Sequence, residues 1–246
     1  MRYLILSDIH GNWEALEAVL ARAETSRFQS IVCCGDVVGY GADPDAVTEW
    51  VRGNVKAIIR GNHDKVCAGL DDMEWFNPVA QASAVWTQGV MKADNLGYLR
   101  DLIRGPERVN GFQILHGSPL DEDEYVVTEQ DVAQVAPYLD CDVSFFGHTH
   151  LQGAFLCHRN GVKQLLAAQG EAERTIQLEP DANYMINPGS VGQPRDGDPR
   201  AAYAIYEPDE RLVTLCRTEY DVASAQRKIF EAGLPELLAL RLQAGI

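Results

Sequence analysis

Residues 2–10 read RYLILSDIH and set the pattern for the first half of the chain. The apolar run at the start of this stretch is typical of a buried strand. The polar pair Asp8 and His10 follows directly. Apolar residues then recur at helical spacing over residues 12–23, which predicts a helix. The segment is therefore interpreted as a strand, a polar loop and a helix in succession.

The same succession is repeated twice. Residues 30–34 form the next apolar strand, and Asp43-Pro44 predicts a capped helix that runs to about Arg52. Residues 55–59 are the third predicted strand. Short strands separated by helices of this length indicate βαβ units and a mainly parallel sheet.

The pattern changes after the third strand. Residues 66–104 are predicted to be helical, with Asn77-Pro78 as a helix start, and Asn110-Gly111 marks a hairpin. The last third of the chain is predicted to hold mostly antiparallel strands. We interpret residues 1–246 as a single domain, with a helical insertion at about 66–104 and C-terminal helices at about 221–245.

In the predicted helical insertion, the apolar residues at helical spacing after Pro78 are Val79, Ala82, Val85, Trp86 and Val90.

The composition restricts the class of protein. The chain has 246 residues, 46% of them hydrophobic and 23% charged, so it can bury a sizeable core. Six cysteines without a CxxC pair indicate a reducing compartment. No apolar run is long enough to span a bilayer, and the N-terminus does not resemble a secretory signal. We therefore expect a cytoplasmic protein that does not contact the membrane.

The net charge of -15 restricts the partners. Proteins that bind long nucleic acids usually present clustered Lys and Arg side chains, and this sequence has no such cluster. A small phosphorylated substrate stays compatible with an acidic surface, because bound metal ions can reverse the local electrostatic field. The oligomeric state cannot be inferred from the sequence.

Five short polar motifs each follow an apolar strand, and they contain five of the six histidines. These motifs are Asp8-Ile9-His10, Gly35-Asp36, Gly61-Asn62-His63-Asp64, His116-Gly117 and Gly147-His148-Thr149-His150. Ligands bind at the C-terminal strand edge of open α/β sheets, so these loops are expected to converge. The sixth histidine, His158, lies on an alternating strand and is interpreted as structural.

In this order, the motifs resemble those of the calcineurin-like metallophosphoesterase family, over about residues 1–195. The resemblance implies an α/β fold, a four-layer αββα sandwich of two mixed β-sheets flanked by helices. It also implies a site for two metal ions. Residues Asn187-Pro188-Gly189-Ser190 are similar to a loop that small bacterial and archaeal members carry after the last motif.

The resemblance also implies a role for each residue of the motifs. One metal ion would be held by Asp8, His10, Asp36 and His150, and the other by Asp36, Asn62, His116 and His148. His63 would be the catalytic histidine without a metal, and Asp64 its orienting partner. The mixed nitrogen and oxygen ligands suit Mn, Fe, Zn, Ni or Co, with Mn favoured.

The chemistry requires these residue types. A carboxylate such as Asp36 has two oxygens and can bridge two metal ions roughly 4 Å apart. Two divalent cations with two carboxylates and a bridging hydroxide keep a net positive charge, which favours phosphate binding. The hydroxide would attack phosphorus while His63 assists the leaving oxygen.

The sequence leaves several functions open. Protein Ser/Thr phosphatases and diadenosine-tetraphosphate hydrolases usually carry an arginine in a G-D-x-x-D-R-G pattern, which is absent after Asp36. This difference favours a phosphodiesterase-type member. A nuclease would need a basic groove, and a non-catalytic scaffold would typically have lost ligands that are present here.

Two residues outside the motifs are candidate substrate contacts. Arg195 follows the Ser190 loop and could bind a phosphate, or it could be a solvated loop residue beside Asp196 and Asp198. Tyr40 could line the pocket or belong to the core.

Overall fold

Twelve strands and eight α-helices make up the computed structural model, which describes residues 1–166 and 170–246. The strands are β1 (Tyr3–Leu6), β2 (Ser30–Cys33), β3 (Ala57–Ile58), β4 (Glu107–Val109), β5 (Phe112–Leu115), β6 (Val143–Phe146), β7 (Gly153–His158), β8 (Gly161–Leu166), β9 (Glu173–Gln177), β10 (Asn183–Asn187), β11 (Ala201–Glu207) and β12 (Leu212–Thr218). The helices are α1 (Trp13–Ala23), α2 (Pro44–Asn54), α3 (Asn62–Cys67), α4 (Pro78–Val90), α5 (Ala93–Asp101), α6 (Glu129–Val135), α7 (Val222–Glu231) and α8 (Glu236–Ala244).

The strands form two mixed sheets of six strands each. The first has the order β3-β2-β1-β11-β12-β9, and the second has the order β4-β5-β6-β10-β7-β8. Strands β1, β2 and β3 are parallel, as the repeated strand–helix pattern predicts, while β11 runs antiparallel to β1. In the second sheet β5, β6 and β10 are parallel to one another.

The side chains of β1 explain why its sequence is apolar at every position. Tyr3 and Ile5 face the second sheet and pack in one core with residues such as Phe112. Leu4 and Leu6 face the opposite side and pack against α1, α2 and α5. A strand buried on both faces needs a continuous apolar run. Since α6 covers the outer face of the second sheet, the order of layers is helix, sheet, sheet, helix.

The fold confirms the two-sheet sandwich that the resemblance implies. Two local predictions need correction. The third strand is predicted over residues 55–59 but pairs only at Ala57 and Ile58. Asp43 precedes α2 as predicted, but its side chain does not cap the helix. The Asp43 carboxylate instead accepts a hydrogen bond from Lys228 Nζ at 2.7 Å.

The buried face of α4 also differs from the sequence pattern. Val85 and Val90, which mark the apolar spacing, are exposed. The buried residues of α4 are small, namely Ala80, Ser83, Ala84 and Thr87. Small side chains allow the helix to approach the loop after β2, where Ser83 Oγ accepts a hydrogen bond from the Tyr40 backbone N–H at 2.6 Å.

Within residues 1–166 and 170–246, none of the helices has both the length and the apolar character that crossing a membrane requires.

Candidate metal centre

The loops after β1, β2, β3, β5 and β6 converge at one edge of the sandwich, and the backbone joins them directly. The Asp8 N–H donates to the Gly35 carbonyl at 3.0 Å, and the His10 N–H donates to the Asp36 carbonyl at 3.0 Å. In the second sheet, the Gly147 N–H donates to the His116 carbonyl at 2.9 Å. The polar motifs that are far apart in sequence therefore form one layer of bonded loops.

Five of the candidate ligands in this layer have left-handed backbone conformations. Their φ angles are 52° at Asp8, 50° at His10, 55° at Asp36, 66° at His148 and 60° at His150. Residues other than glycine rarely adopt this region, and such backbone strain concentrates at functional sites.

A first set of four buried residues brings its ligand atoms within 4.8 Å of one another. These residues, Asp8, His10, Asp36 and His150, are called the first metal group here. The His10 and His150 Nδ1 atoms each face a backbone carbonyl, at 3.0 Å from Val38 O and 2.6 Å from Gln193 O. A carbonyl only accepts hydrogen bonds, so both protons reside on Nδ1.

The remaining ring nitrogens of the first metal group therefore face each other as lone pairs. His10 Nε2 lies 3.1 Å from His150 Nε2. Two acceptors at this distance repel each other unless a cation lies between them. Asp8 Oδ2 is also buried and has no hydrogen-bond partner among the described residues. These unsatisfied acceptors fit a metal ion.

A second set shares Asp36 with the first. Asp36, His116 and His148 bring ligand atoms within 4.8 Å of one another, and Asn62 lies beside them. Asn62 Oδ1 is 3.2 Å from His116 Nε2 and 3.1 Å from His148 Nδ1. The other nitrogen of each ring faces a carbonyl, at Cys34 for His116 and at Asp123 for His148. We call these four residues the second metal group.

Asp36 is the residue common to both groups. Its Oδ2 lies 3.6 Å from His10 Nε2 and 3.4 Å from His116 Nε2. Its Oδ1 accepts a hydrogen bond from the His63 backbone N–H at 2.9 Å. Gly61 permits this approach, since a Cβ there would lie 2.0 Å from Asp36 Oδ1. The carboxylate is thus fixed with one oxygen between the two groups.

Burial and charge shift the pKa values of the ligands in opposite directions. Burial and the neighbouring His150 and His63 lower the pKa of His10, although Asp36 opposes the shift. Burial also lowers the pKa of His148, to about 3. Burial acts in the same direction on His116, but the Asp36 carboxylate outweighs it and raises the pKa of His116 to about 10. The site is thus strongly polarised around Asp36.

His63 lies beside both metal groups without belonging to either. Its ring packs against Tyr40, with centroids 4.3 Å apart, and against Phe76 at 4.6 Å. Its Nδ1 has no hydrogen-bond partner among the described residues. Burial lowers the pKa of His63 to about 4, so its imidazole is neutral near pH 7 in this environment.

The structure corrects the prediction for Asp64, which does not orient the His63 ring. Asp64 Oδ1 accepts hydrogen bonds from the backbone N–H groups of Val37 at 2.8 Å and Val38 at 3.1 Å. Asp64 Oδ2 accepts from the Gly61 N–H at 3.0 Å. The carboxylate thus joins the loop after β2 to the start of α3, and among the described residues its hydrogen bonds are all to the backbone.

Both candidate substrate contacts lie at the centre. The Tyr40 ring is 4.6 Å from the His10 ring, and the Arg195 guanidinium lies 5.7 Å from the Tyr40 ring centroid. Arg195 Nη2 donates to Tyr40 Oη at 3.4 Å and to Gln193 Oε1 at 3.3 Å. Its Nε is buried without a partner among the described residues.

The Asn187–Ser190 loop supports the centre from behind. Asn187 Nδ2 donates to the Gly147 carbonyl at 3.0 Å and to Thr149 Oγ1 at 2.9 Å. Ser190 Oγ donates to the Asp8 carbonyl at 2.8 Å. The loop therefore fixes one motif from each sheet.

Part of the wall of the site carries no signal in the sequence. Tyr125 packs on His148, with ring centroids 4.0 Å apart. A single tyrosine outside a motif gives no indication of its role, and any residue type can supply the carbonyls that orient the histidines.

A cavity of about 140 Å³ adjoins the second metal group, and Asn62, His148, Phe76, Trp75 and Tyr125 are among its lining residues. A larger cavity of about 330 Å³ lies behind Thr149, and none of the metal-group residues lines it. The polar groups of Arg217 in that larger cavity are already bound by Gln152 and Asp196. Of these two cavities, the smaller one is therefore the one that adjoins a metal group.

Comparison with known proteins agrees with this geometry. The sequence model of the family described as calcineurin-like phosphoesterase matches residues 1–152, which contain both metal groups. The chain belongs to the calcineurin-like phosphoesterase family. It is a metallophosphoesterase and therefore a hydrolase, and the two metal groups supply candidate ligands for the metal on which this family depends.

Relatives of this phosphoesterase match along its whole length. It is 37% identical to the uncharacterized protein MJ0912 of Methanocaldococcus jannaschii, over 98% of this chain and 97% of that protein. It is 38% identical to a metallophosphoesterase from Sphaerobacter thermophilus, with a TM-score of 0.86 over 100% of this chain and 99% of that one. The protein PH1004 of Pyrococcus horikoshii OT3, 19% identical with a TM-score of 0.80, shares the fold over 100% of this chain and 98% of its own.

Proposed function

We propose that this metallophosphoesterase hydrolyses phosphodiesters at a centre of two divalent transition-metal ions. The observation that carries the proposal is the shared Asp36, whose Oδ2 lies between His10 and His116 of the two metal groups. Bound metal ions in such a pair polarise the phosphate and lower the pKa of a water molecule so that it becomes a nucleophile. Asp8, Asp36 and the surrounding histidines would hold the pair in place.

The identity of the metal is proposed from the ligands. Imidazole nitrogens and carboxylate or amide oxygens together suit Mn, Fe, Zn, Ni or Co better than Ca or Mg, and we favour Mn.

The loop after β2 supports a diester as the substrate. Monoesterases with the G-D-x-x-D-R-G pattern place an arginine here, whereas this loop presents the ring of Tyr40. The Val37 and Val38 N–H groups are already bound to Asp64 and cannot bind phosphate. Arg195 is the cation beside Tyr40, and it suits the single negative charge of a diester. The aromatic side chains Phe76 and Tyr125 can contact an organic group of the substrate.

His63 is proposed to donate a hydrogen bond to the leaving oxygen. Its ring is held between Tyr40 and Phe76 and packs edge-on against His10 at 4.9 Å between centroids. Because Asp64 is bound to the backbone, packing alone orients this ring. A neutral imidazole still carries one N–H and can stabilise charge that develops on the leaving group.

The substrate is expected to be a small phosphorylated molecule, and a cytoplasmic location stays a prediction. The acidic net charge of -15 supports a small substrate over a long nucleic acid.

A screen of metals against substrates tests the proposal. Purified protein, stripped of metal and reloaded with Mn, Ni, Co, Zn or Fe, should hydrolyse bis-p-nitrophenyl phosphate faster than p-nitrophenyl phosphate. Cyclic nucleotides, dinucleoside polyphosphates and phosphoproteins complete the panel. A large preference for the monoester would favour a phosphatase or diadenosine-tetraphosphate hydrolase, and no turnover with any of these metals would contradict the proposal.

A further inference from the structure

Lys65 is a buried charged residue for which neither the motifs nor the proposed mechanism has a role. It lies on α3, three residues after Asn62, and only 7% of its surface is exposed. Its Nζ contacts three carboxylates, at 2.6 Å from Asp123, 2.9 Å from Asp71 and 3.5 Å from Glu122. A lysine is rarely buried unless it is paired, so these contacts keep its charge inside the protein.

Two of the three partners of Lys65, Glu122 and Asp123, lie on the loop that orients His148. The backbone carbonyl of Asp123 accepts a hydrogen bond from His148 Nε2 at 3.1 Å, which leaves Nδ1 free as a metal ligand. The Asp123 side chain accepts from Lys65, so one residue contacts the lysine and the ligand at the same time. Arg60 binds the neighbouring Glu122 with two hydrogen bonds, at 3.0 and 2.8 Å.

Lys65 therefore connects two sides of the second metal group. Helix α3 carries Asn62, and the loop at Asp123 carries the carbonyl that fixes the ring of His148. Asn62 Oδ1 and His148 Nδ1 lie 3.1 Å apart, so a small displacement of the loop relative to α3 changes the distance between two ligand atoms. The histidines of the first metal group are oriented by the carbonyls of Val38 and Gln193, and neither residue is among the ion-pair partners of Lys65 in the described part of the chain.

We propose that Lys65 is a positioning residue for the second metal ion, acting through Asp123 and the carbonyl that orients His148. This inference rests on the proposed two-metal function. Residues that orient metal ligands typically change metal affinity about 10–100-fold when they are replaced. The effect is expected at the second metal group alone.

Asp123 and Asp71 provide a matched pair of variants. Both carboxylates bind the same Nζ, and both are about half exposed, at 46% and 42% of the side chain. Only Asp123 contacts His148. Asp123→Asn should weaken binding of the second Mn²⁺ about 10–100-fold and leave the first unchanged, whereas Asp71→Asn should leave both affinities unchanged.

Lys65→Met and Lys65→Arg complete the set. Lys65→Met should weaken the binding of the second Mn²⁺ at least as much as Asp123→Asn does. Lys65→Arg keeps the positive charge and should therefore bind the second Mn²⁺ more tightly than Lys65→Met does. Lys228→Met is the control for the loss of a paired lysine. Lys228 binds Glu14 at 2.5 Å and Asp43 at 2.7 Å, and neither carboxylate lies on the loop that orients His148. This control should bind both metal ions as the wild type does.

The readout is Mn²⁺ stoichiometry and affinity by calorimetry, together with the electron paramagnetic resonance spectrum. Wild-type protein should show the spectrum of two coupled Mn²⁺ ions, and Asp123→Asn at limiting metal should show that of isolated ions. Equal second-site affinity in wild type, Asp123→Asn and Lys65→Met would overturn this inference while leaving the two-metal function intact. Wild-type protein that binds fewer than two ions would overturn the proposed function and this inference with it.

Discussion

At the scale of single residues, the motifs gave the positions of the candidate ligands but not the contacts that orient them. Asp64, which directly follows His63 in the sequence, accepts hydrogen bonds from three backbone N–H groups. Two residues that are adjacent in the chain need not have side chains in contact, because neighbouring side chains at the start of a helix point in different directions. The carbonyls that orient the four histidines could not be predicted, since any residue type supplies a carbonyl.

His63→Ala tests the assignment of the histidine without a metal. Because its ring contacts Tyr40, Phe76 and His10 but no carbonyl that fixes a ligand, both Mn²⁺ ions should stay bound. The turnover number should fall about 10²–10⁴-fold, the range of a lost proton donor. Steady-state kinetics and metal analysis on the same sample check this. His158→Ala is the control, since His158 is half-exposed and paired with Glu179; near wild-type turnover in His63→Ala would contradict the role.

Asp64→Asn tests the structural role that replaces the predicted catalytic one. The amide keeps one acceptor oxygen but presents an NH₂ group to a backbone N–H, so at least one buried donor loses its partner. The free energy of unfolding of the metal-free protein should fall by about 1–3 kcal/mol. Urea denaturation measures this loss. Unchanged stability combined with a loss of turnover would instead restore the orienting role for His63.

At the scale of helices and strands, the sequence pattern predicted the positions of the elements better than it predicted which of their faces are buried. Apart from the shorter β3, the strands that precede the motifs lie where the apolar runs predict them, because strands buried on both sides need such runs. Helix α4 is the exception, since Val85 and Val90 are exposed and its buried residues are all small. Close packing against the loop at Tyr40 selects small residues there, and spacing of apolar residues alone does not reveal this.

Two substitutions in α4 test which of its residues form the packed face. Ser83→Ala removes the acceptor of the Tyr40 N–H and should lower the free energy of unfolding by about 1–3 kcal/mol. Val85→Ser, at a position that is 59% exposed, should change it by less than about 0.5 kcal/mol. Urea denaturation of both variants gives the comparison. A larger loss for Val85→Ser would mean that the apolar spacing, and not the small residues, marks the packed face.

At the scale of the whole molecule, the metal groups combine residues from both sheets. Asp8, His10 and Asp36 follow strands of the first sheet, while His116 and His148 follow strands of the second. Metal ions bound there would link the two sheets at one edge of the sandwich. The sequence predicted this convergence because each motif follows an apolar strand, whereas the contact of Tyr125 with His148 depends on how distant segments pack.

Metal removal should therefore destabilise the entire fold. A ligand that binds only the folded state stabilises it by about 2.7 kcal/mol when its concentration is 100 times its Kd, and two sites add. The Tm of metal-free protein should rise with added Mn²⁺ and fall again with a chelator. Asp36→Asn should reduce this rise strongly, because Asp36 belongs to both groups. Calorimetric scanning checks the shift, and a Tm that is independent of Mn²⁺ would contradict the linkage.

The left-handed backbone of five candidate ligands has a consequence for how such a site can change during evolution. Among residues other than glycine, Asp, Asn and His adopt this conformation most readily, and they are the residue types found at these positions. Replacing them with cysteine or glutamate, to select another ion, would strain the backbone at these positions, whether or not the new side chains could coordinate that ion. The inherited loop geometry thus narrows the range of metals that descendants of this protein can adopt.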